Sequence, residues 1–364
     1  MQNAHFPNGR QPAIEANVKR RSIAILLASL LVLEGCYYVQ AARGQYDLMQ
    51  RRRPVEDVIA DASSPEKLRD RLIMVREARQ FAVDELLLPD NDSYRSYADL
   101  ERDYVVWNVI ATPEFSLDPR HWCYPVAGCV AYRGYFAEAS AKKLADRLAS
   151  DGFDVMVGGV SAYSTLGRFA DPVLNTMMRW NDTDLVATLF HELAHQKLYI
   201  KGDTRFNESF ATTVADAGLE RWLASTGTPA DLEAREKRRA DNALVLNMAM
   251  AARRKLESLY ASGLDATAMR ERKRQVFEEL AKEASRYDGT ANGAGYWFSG
   301  NLNNARIASI GLYEGRVPAF TVMLDDCGGD LGCFYARAEV LAEMNIVERD
   351  VELDRLAARM DQGS

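Results

Sequence analysis

The spacing of apolar residues predicts a chain dominated by helices. Between residues 43 and 88, apolar side chains recur at i, i+3 and i+4, which is the period of an amphipathic helix. Pro65 lies where a first helical turn would begin, so we predict two helices in this region. Two long, heavily charged helices are predicted over residues 230–260 and 266–286, and a final helix over residues 336–360.

A second pattern, rich in β-branched and aromatic residues, predicts a small sheet in the middle of the chain. Residues 104–111 and 153–160 are predicted strands, and residues 130–136 are the predicted partner of the first. The amphipathic residues 137–150 predict a helix between them. Together these elements indicate the α+β class, predominantly helical.

The helix predicted after the last strand carries the pattern His-Glu-x-x-His. It begins near Asn181, and it places His191, Glu192 and His195 near its other end. Residues at i and i+4 lie on one face of a helix, so both imidazoles can bind one metal ion and the glutamate can act on an attacking water. The alternative is an exposed helix that carries two histidines by chance.

A second helix, starting after Gly202, supplies a candidate third ligand. Two helices joined by a short turn run antiparallel, which brings Glu208 close to His195. The small residues that would let the two helices approach closely are Ala211, Thr212 and Ala215. Two histidines, one glutamate and an open fourth position are typical of catalytic zinc, so we predict one Zn²⁺ held by His191, His195 and Glu208.

Two further roles are predicted around this site. Asp203 either holds a ligand histidine through a hydrogen bond or simply caps the helix that carries Glu208. In hydrolysis, Glu192 acts as the general base and passes the proton to the leaving amine.

The first 35 residues are predicted to be a signal peptide. A basic segment, residues 19–21, precedes an apolar run over residues 23–33 that is too short to span a bilayer comfortably. The run ends in Leu-Glu-Gly-Cys, which resembles the lipobox of bacterial lipoproteins and makes Cys36 the predicted site of lipidation. We therefore expect a lipid anchor in the bacterial cell envelope, facing the periplasm and most simply at the outer membrane. A short uncleaved anchor is the alternative.

Charge and cysteine content narrow the functional classes. The chain has a net charge of −7 and no long basic tract, so no nucleic-acid partner is expected. The four cysteines after Cys36 form two closely spaced pairs, Cys123 with Cys129 and Cys327 with Cys333. Two local disulfides are the simplest of three connectivities and suit an oxidising compartment. Four free thiols are the alternative.

Several stretches beyond the histidine motif match one known family. They are Trp122-Cys123, residues 128–130, residues 132–136, residues 162–167 with Asp171-Pro172, the run from His191 to Ala211, and residues 317–320. In these stretches the chain resembles bacterial putative aminopeptidases, within the gluzincin group of zinc metallopeptidases. The resemblance implies a zincin-like metallopeptidase core with a small sheet and long C-terminal helices, a peptide substrate, and a membrane-anchored lipoprotein.

The resemblance and the patterns together predict four segments. They are a signal peptide (1–35), an N-terminal helical segment (36–95), a zincin-like catalytic core (96–226) and a helical C-terminal part packed on the core (227–364).

The resemblance leaves the type of activity open. Other gluzincin aminopeptidases carry a Gly-x-Met-Glu-Asn strand before the zinc helix, whereas residues 157–163 here contain no glutamate. A metalloendopeptidase and a non-catalytic zinc-binding envelope lipoprotein with a binding or scaffold role are therefore alternatives to an aminopeptidase.

The strand before the zinc helix and three tyrosines are candidates for contacts with the substrate. Gly159 and Tyr163 are predicted to hold the substrate backbone by strand addition, unless this is an ordinary edge strand. Tyr313 is predicted to donate to the tetrahedral oxyanion, because the resemblance places such donors well downstream of the zinc ligands. Tyr163 and Tyr199 are the alternatives.

Overall fold

The central sheet has three antiparallel strands in the order β6-β3-β7. The strands, in chain order, are β1 (Arg52–Pro54), β2 (Ser96–Ala98), β3 (Val106–Pro113), β4 (Trp122–Tyr124), β5 (Gly128–Val130), β6 (Arg133–Tyr135), β7 (Phe153–Val160) and β8 (Val173–Leu174). The strand predicted over residues 153–160 is confirmed. Strands β3 and β6 start two and three residues after their predicted starts and pair as expected, while Val130 belongs to β5 instead of β6. Strand β3 pairs with β7 along its whole length, from Val106 opposite Val160 to Pro113 opposite Phe153.

Helices make up most of the chain, which confirms the predominantly helical α+β class. They are α1 (residues 37–50), α2 (Val55–Ala60), α3 (Glu66–Asp84), α4 (Glu138–Ser150), α5 (Asp182–Lys197), α6 (Thr204–Thr226), α7 (Pro229–Tyr260), α8 (Ala266–Ala284), α9 (Asn304–Glu314), α10 (Val317–Asp326), α11 (Leu331–Glu343) and α12 (Ile346–Gln362).

The computed structural model describes residues 37–124, 128–287, 297–314 and 316–362, without the side chains of residues 311–314 and 360–362. Two compact units divide the chain, residues 1–50 and residues 51–364. The larger unit holds the predicted 96–226 and 227–364 segments together. The predicted signal peptide and Cys36 lie outside the described residues.

No helix in the described part of the chain combines the length and the apolar character needed to cross a membrane.

Helix α4 covers one face of the central sheet. The alternation along β3 turns Val109 and Ala111 towards α4, where they pack against Leu144 and Leu148 in a core cluster. The hydroxyl of Thr176, in the 3₁₀ turn before α5, donates to the carbonyl of Ser161 just after β7 at 2.6 Å. The end of β7 is therefore tied to the start of α5.

Helices α5 and α6 form an antiparallel hairpin at the centre of the larger unit. The side chain of Asn181 caps α5 by accepting a hydrogen bond from the Asp184 N–H at 2.9 Å. The apolar face of α5 is fully buried against α6 and α3, through Leu185, Val186, Leu189, Phe190 and Leu193. Ala211 and Ala215 on α6 are buried as well, and their small size permits close packing of the two helices.

A second core lies between the long charged helices and α9. Helix α7 begins with a capping box formed by Thr228 and Asp231, with Pro229 at its first turn. Its apolar stripe packs with α8 and α9, through Val245, Met248, Leu256, Phe277, Leu280 and Ile307. Helix α9 also contacts α6, β3 and β7, so it links this second core to the α5–α6 hairpin and the central sheet.

The C-terminal region differs from the single helix predicted over residues 336–360. It contains α11 and α12, and Asn345 separates them because its side chain accepts from the N–H groups of Val347 and Glu348, both at 3.1 Å. The disulfide Cys327–Cys333 closes the turn before α11. Aromatic rings from α6, α10 and α11 pack together, namely Phe206, Phe210, Phe320, Phe334 and Tyr335.

The N-terminal part of the larger unit also contains strand structure that the apolar spacing did not predict. Strand β1 pairs with β2, which pairs in parallel with β8. Arg52 lies in β1 and donates to the carbonyl of Ala170 at 2.9 Å, so Arg52 and Arg53 belong to a small sheet and not to the helices predicted over residues 43–88. Pairing with strands distant in the sequence stabilises this strand conformation, and the local spacing of apolar residues does not predict it.

Candidate metal centre

Three side chains converge on one point at the open face of the α5–α6 hairpin. His191 and His195 point their Nε2 atoms at each other at 3.1 Å, and the Glu208 Oε2 atom lies 3.3 Å from His191 Nε2 and 3.7 Å from His195 Nε2. His195 is 7% exposed, while His191 and Glu208 are half-buried. The three ligand atoms lie within 4.8 Å of one another, so the group has the geometry to hold a metal ion.

The donor set fits a zinc ion. Donors about 2.0–2.1 Å from one ion and at tetrahedral angles lie about 3.3 Å from one another, close to the separations that these side chains have. Two imidazoles and one carboxylate leave a fourth position for a reacting group, as catalytic zinc sites do. The Nδ1 atom of His195 is buried without a hydrogen-bond partner among the described residues.

The turn between α5 and α6 is held by the side chain of Asn207. Its Oδ1 atom accepts from the Ile200 N–H and its Nδ2 atom donates to the Ile200 carbonyl, both at 2.7 Å. Because Asn207 is 1% exposed and precedes Glu208, this pair fixes the start of α6 relative to the end of α5. The position of the Glu208 carboxylate follows from it.

The hairpin of β4 and β5 supports the same turn from outside. The disulfide Cys123–Cys129 joins directly opposed residues of these two strands. A Cβ atom at Gly128, where φ is +79°, would lie 2.7 Å from the backbone nitrogen of Gly202. Only glycine permits this approach, so the disulfide hairpin lies directly against the turn.

Asp203 contacts a different set of groups from the histidines. Its Oδ1 atom accepts from the Phe206 N–H at 3.0 Å and caps α6, and its Oδ2 atom accepts from Arg349 Nε at 2.9 Å. Among the described contacts of Asp203, none is to His191 or His195. The helix-capping role is the one that the structure describes, together with a buried ion pair that the sequence did not predict.

The pKa values of the two glutamates of the site are shifted in opposite directions. Burial alone would raise the pKa of Glu208, but the hydrogen bonds from His191 and His195 outweigh it and hold this pKa well below its usual range. Burial raises the pKa of Glu192 to about 7; the charge of His191 opposes this, and those of Glu208 and Asp171 add to it. Glu192 is half-buried and adjoins the centre.

The three candidate tyrosines lie in different surroundings. The ring of Tyr199 lies 6.4 Å from the ring of His195, and burial followed by the charge of Glu208 raises the pKa of Tyr199. The ring of Tyr163 packs edge-on against Phe136 at 5.6 Å. Tyr313 lies in α9, and its side chain is outside the description. Tyr199 is therefore the candidate that the structure describes beside a metal ligand.

Strand β7 has an outer edge that no other strand covers in the described part of the chain. The Val160 carbonyl accepts from the Val105 N–H and points inward, whereas the Val155 carbonyl accepts from Asn303 on the other side. Because backbone groups alternate along an antiparallel strand, the N–H and C=O of Gly159 point to the outer edge. The Tyr104 ring covers the side of β7 towards which a Gly159 side chain would point, since a Cβ atom there would lie 2.5 Å from this ring.

Two acidic residues near the centre were not predicted from the sequence. Asp171 is 1% exposed and accepts hydrogen bonds from the Thr165 N–H, the Thr165 hydroxyl and the Ser164 hydroxyl. Asp216 lies on α6, is exposed, and its charge interacts with that of His191. The i, i+4, i+8 spacing of Glu208, Thr212 and Asp216 was the available signal for the second of these.

Comparison with known proteins gives one match. A family model described as "Putative aminopeptidase" matches residues 36–353. No curated protein matches the chain, and no solved structure does.

Proposed function

The chain belongs to the family of putative aminopeptidases, and from this premise we propose that it is a zinc-dependent peptidase of the gluzincin type with a zincin-like core. The observation that carries the proposal is the convergence of His191, His195 and Glu208, with Glu192 directly beside them. A site that only stabilised the fold would not need the Glu192 carboxylate.

The chemistry divides between the metal and the chain. When bound by the two histidines and Glu208, zinc supplies Lewis-acid chemistry, which polarises a carbonyl oxygen and acidifies water. Glu192 takes a proton from the attacking water and passes it to the leaving amine, and a base with a pKa near the working pH is suited to both transfers. A hydroxyl is proposed to donate to the oxyanion. Tyr313 is the donor that the resemblance favours, and Tyr199 is the one that the geometry around His195 favours.

The outer edge of β7 supports binding of an extended peptide. We propose that the backbone groups of Gly159 pair with the substrate as an added strand, with Tyr163 at the end of that edge. Main-chain pairing of this kind is independent of the substrate sequence, so it would position many peptides in the same register.

Asp216 supports an aminopeptidase over an endopeptidase. An aminopeptidase must bind the free α-amine of its substrate, and a carboxylate is the natural partner of an ammonium group. Asp216 lies two helical turns beyond Glu208, about 12 Å along the α6 axis. A residue of extended peptide spans about 3.3–3.6 Å, so an amine held by Asp216 would place the scissile bond about three or four residues from the N-terminus.

The location of the activity is proposed from the N-terminal segment. A lipid-anchored Cys36 would hold the enzyme on the bacterial envelope, facing the periplasm, where peptides are the substrates. Mass spectrometry of the mature N-terminus should find Cys36 acylated and residues 1–35 removed. An unmodified, uncleaved N-terminus would contradict this.

The test combines metal analysis with cleavage of a peptide library. Elemental analysis should find one zinc per chain, which His191→Ala, His195→Ala and Glu208→Ala each lose. Glu192→Gln should keep zinc and lose hydrolysis by about 10²–10⁴-fold. Glu278→Gln, an exposed change on α8, is the matched control and should keep full activity.

Mass spectrometry of the products separates the alternatives. Release of a short fragment of one to four residues from peptides with free N-termini, blocked by N-acetylation of the peptide, supports an aminopeptidase. Internal cleavage supports a metalloendopeptidase. A zinc-loaded protein that cleaves nothing supports a non-catalytic binding or scaffold lipoprotein, and full activity in Glu192→Gln would refute the mechanism.

A further inference from the structure

The β4–β5 hairpin is packed into the core at one end and cross-linked near the other. Among the described residues its two strands pair only with each other. The inner pair, Trp122 opposite Val130, is buried, and the next pair, Cys123 opposite Cys129, is exposed. A two-stranded hairpin is marginally stable by itself, so the disulfide holds the outer end, where Gly128 lies.

The outer end of this hairpin touches the turn between α5 and α6 through backbone atoms. A Cβ atom at Gly128 would lie 2.7 Å from the Gly202 nitrogen, and one at Gly202 would lie 3.7 Å from the Cys129 nitrogen. Both glycines have a positive φ, +79° and +87°. With no side chain between the two backbones, a shift of the hairpin end opens a gap directly beside the turn.

The turn sets the spacing of the metal ligands on the two helices. The Ile200 carbonyl accepts from the Asp203 N–H at 3.2 Å and from Asn207 Nδ2 at 2.7 Å. His195 precedes this turn and Glu208 follows Asn207 directly. A turn that loosens therefore moves the Glu208 carboxylate relative to the two imidazoles.

We propose that the Cys123–Cys129 disulfide makes the metal centre sensitive to redox conditions. Reduction loosens the outer end of the β4–β5 hairpin, frees the turn at Gly202 and lowers the zinc affinity of the centre. The proposal rests on the function proposed above, because it takes zinc as the bound metal. The cysteines are positioning residues, since they act through the turn rather than on the metal.

The redox step is an ordinary thiol–disulfide exchange with a dithiol. One thiolate of the dithiol attacks a sulfur of the disulfide, and its second thiolate then releases the mixed disulfide. The dithiol becomes a disulfide, and Cys123 and Cys129 each gain one electron and one proton as thiols. Because both cysteines are exposed, a dithiol in solution can reach this bond.

The other disulfide provides an internal control. Cys327–Cys333 has the same sequence separation, 6, and Cys333 is exposed as well. The glycines in its loop, Gly328 and Gly329, have no atom within 4 Å of a Cβ built on either. Opening this loop therefore removes no backbone contact like the one between Gly128 and Gly202.

The first experiment measures zinc affinity, by competition with a chromophoric chelator, in two double variants. Cys123→Ser/Cys129→Ser should bind zinc about 10- to 100-fold more weakly than the wild type, the range seen when groups that orient metal ligands are lost. Cys327→Ser/Cys333→Ser should bind zinc as the wild type does. In this second variant, reduction by a dithiol and alkylation of the two remaining cysteines should reproduce the loss. Equal affinities in the two serine variants would overturn the proposal.

A glycine pair tests the contact while both disulfides stay closed. Gly128→Ala and Gly329→Ala place a side chain at nearly the same φ, +79° and +80°, so they share the conformational strain. Only the alanine at position 128 meets the Gly202 backbone. Zinc affinity should therefore fall in Gly128→Ala and stay unchanged in Gly329→Ala. A loss of the same size in both, or in neither, would show that the hairpin does not act on the centre.

Hydrogen exchange in chelated protein gives a readout that needs neither zinc nor activity. The Ile200 and Asn207 N–H groups are hydrogen-bonded within the turn, so amides over residues 199–207 should exchange faster in Cys123→Ser/Cys129→Ser than in Cys327→Ser/Cys333→Ser. Equal exchange in the two variants would also overturn the proposal. If the wild type binds no zinc, the proposed function fails, and the exchange rates still decide whether the disulfide holds the turn.

Discussion

Two neighbouring regions of the α5–α6 hairpin differ in whether their buried polar groups are paired. We call the first the metal face, formed by His191, His195 and Glu208, and the second the packed start of α6, at Asp203. On the metal face, His191, His195 and Glu208 crowd together, and His195 Nδ1 has no partner among the described residues. At the packed start, Asp203 accepts from the helix backbone and from Arg349.

Arg349 shows how complete the pairing is at the packed start. Its guanidinium donates to Asp203 and to the Met344 carbonyl at 2.8 Å, and it lies 5.6 Å from the centre of the Phe206 ring. The Arg349 side chain, from α12, therefore binds both the end of α11 and the start of α6. Paired polar groups stabilise a fold, whereas unpaired buried groups cost stability and persist where function requires them.

The first prediction removes a ligand from the metal face. Glu208→Gln deletes one negative charge from the proposed zinc site, so zinc affinity and peptide hydrolysis should each fall by more than about 100-fold, beyond the effect of losing a group that only orients a ligand. The fold should persist, because the carboxylate is not part of the packed core. Elemental analysis and the Tm of the chelated protein check both statements. A large fall in the Tm of chelated Glu208→Gln would contradict this contrast between the two regions, because it would show that Glu208 also stabilises the fold.

The second prediction breaks the packed start of α6. Arg349→Met removes one partner of a buried ion pair and leaves Asp203 unpaired, so the free energy of unfolding should fall by about 3–5 kcal/mol. Zinc content and kcat per folded molecule should change far less than in Glu208→Gln. Denaturant unfolding and zinc analysis of the folded fraction measure this. A kcat loss equal to that of Glu208→Gln would show that the two regions are one functional unit.

The third prediction has the smallest expected effect and lies outside both regions. Asn345→Ala removes the cap of α12, so the free energy of unfolding should fall by about 1 kcal/mol. Asn345→Asp keeps a capping oxygen and is the control. Thermal unfolding of both variants checks this, and equal losses for the two would mean that the cap is not the source of stability.

The sequence by itself determined the features that depend on residues close together in the chain. The i, i+4 spacing of His191 and His195 follows from helix geometry, and the caps at Asn181 and Thr228 follow from interactions with the next turn. The bounds of β7 follow from its composition and from Gly152 immediately before it. Glu208 could be placed near His195, because a short turn leaves two helices little choice of orientation.

Only the tertiary structure decided the pairs that join distant parts of the chain. Asp203 and Arg349 are 146 residues apart, and no local pattern shows that α12 brings the guanidinium to the start of α6. Tyr94, after α3, and Asp171, before α5, meet through a hydrogen bond from the Tyr94 N–H to the Asp171 carbonyl that no local pattern indicates. A periodic pattern reports which face of an element is buried, but the partner on that face is set by the packing of the whole fold, where burial and charge pairing are decided together.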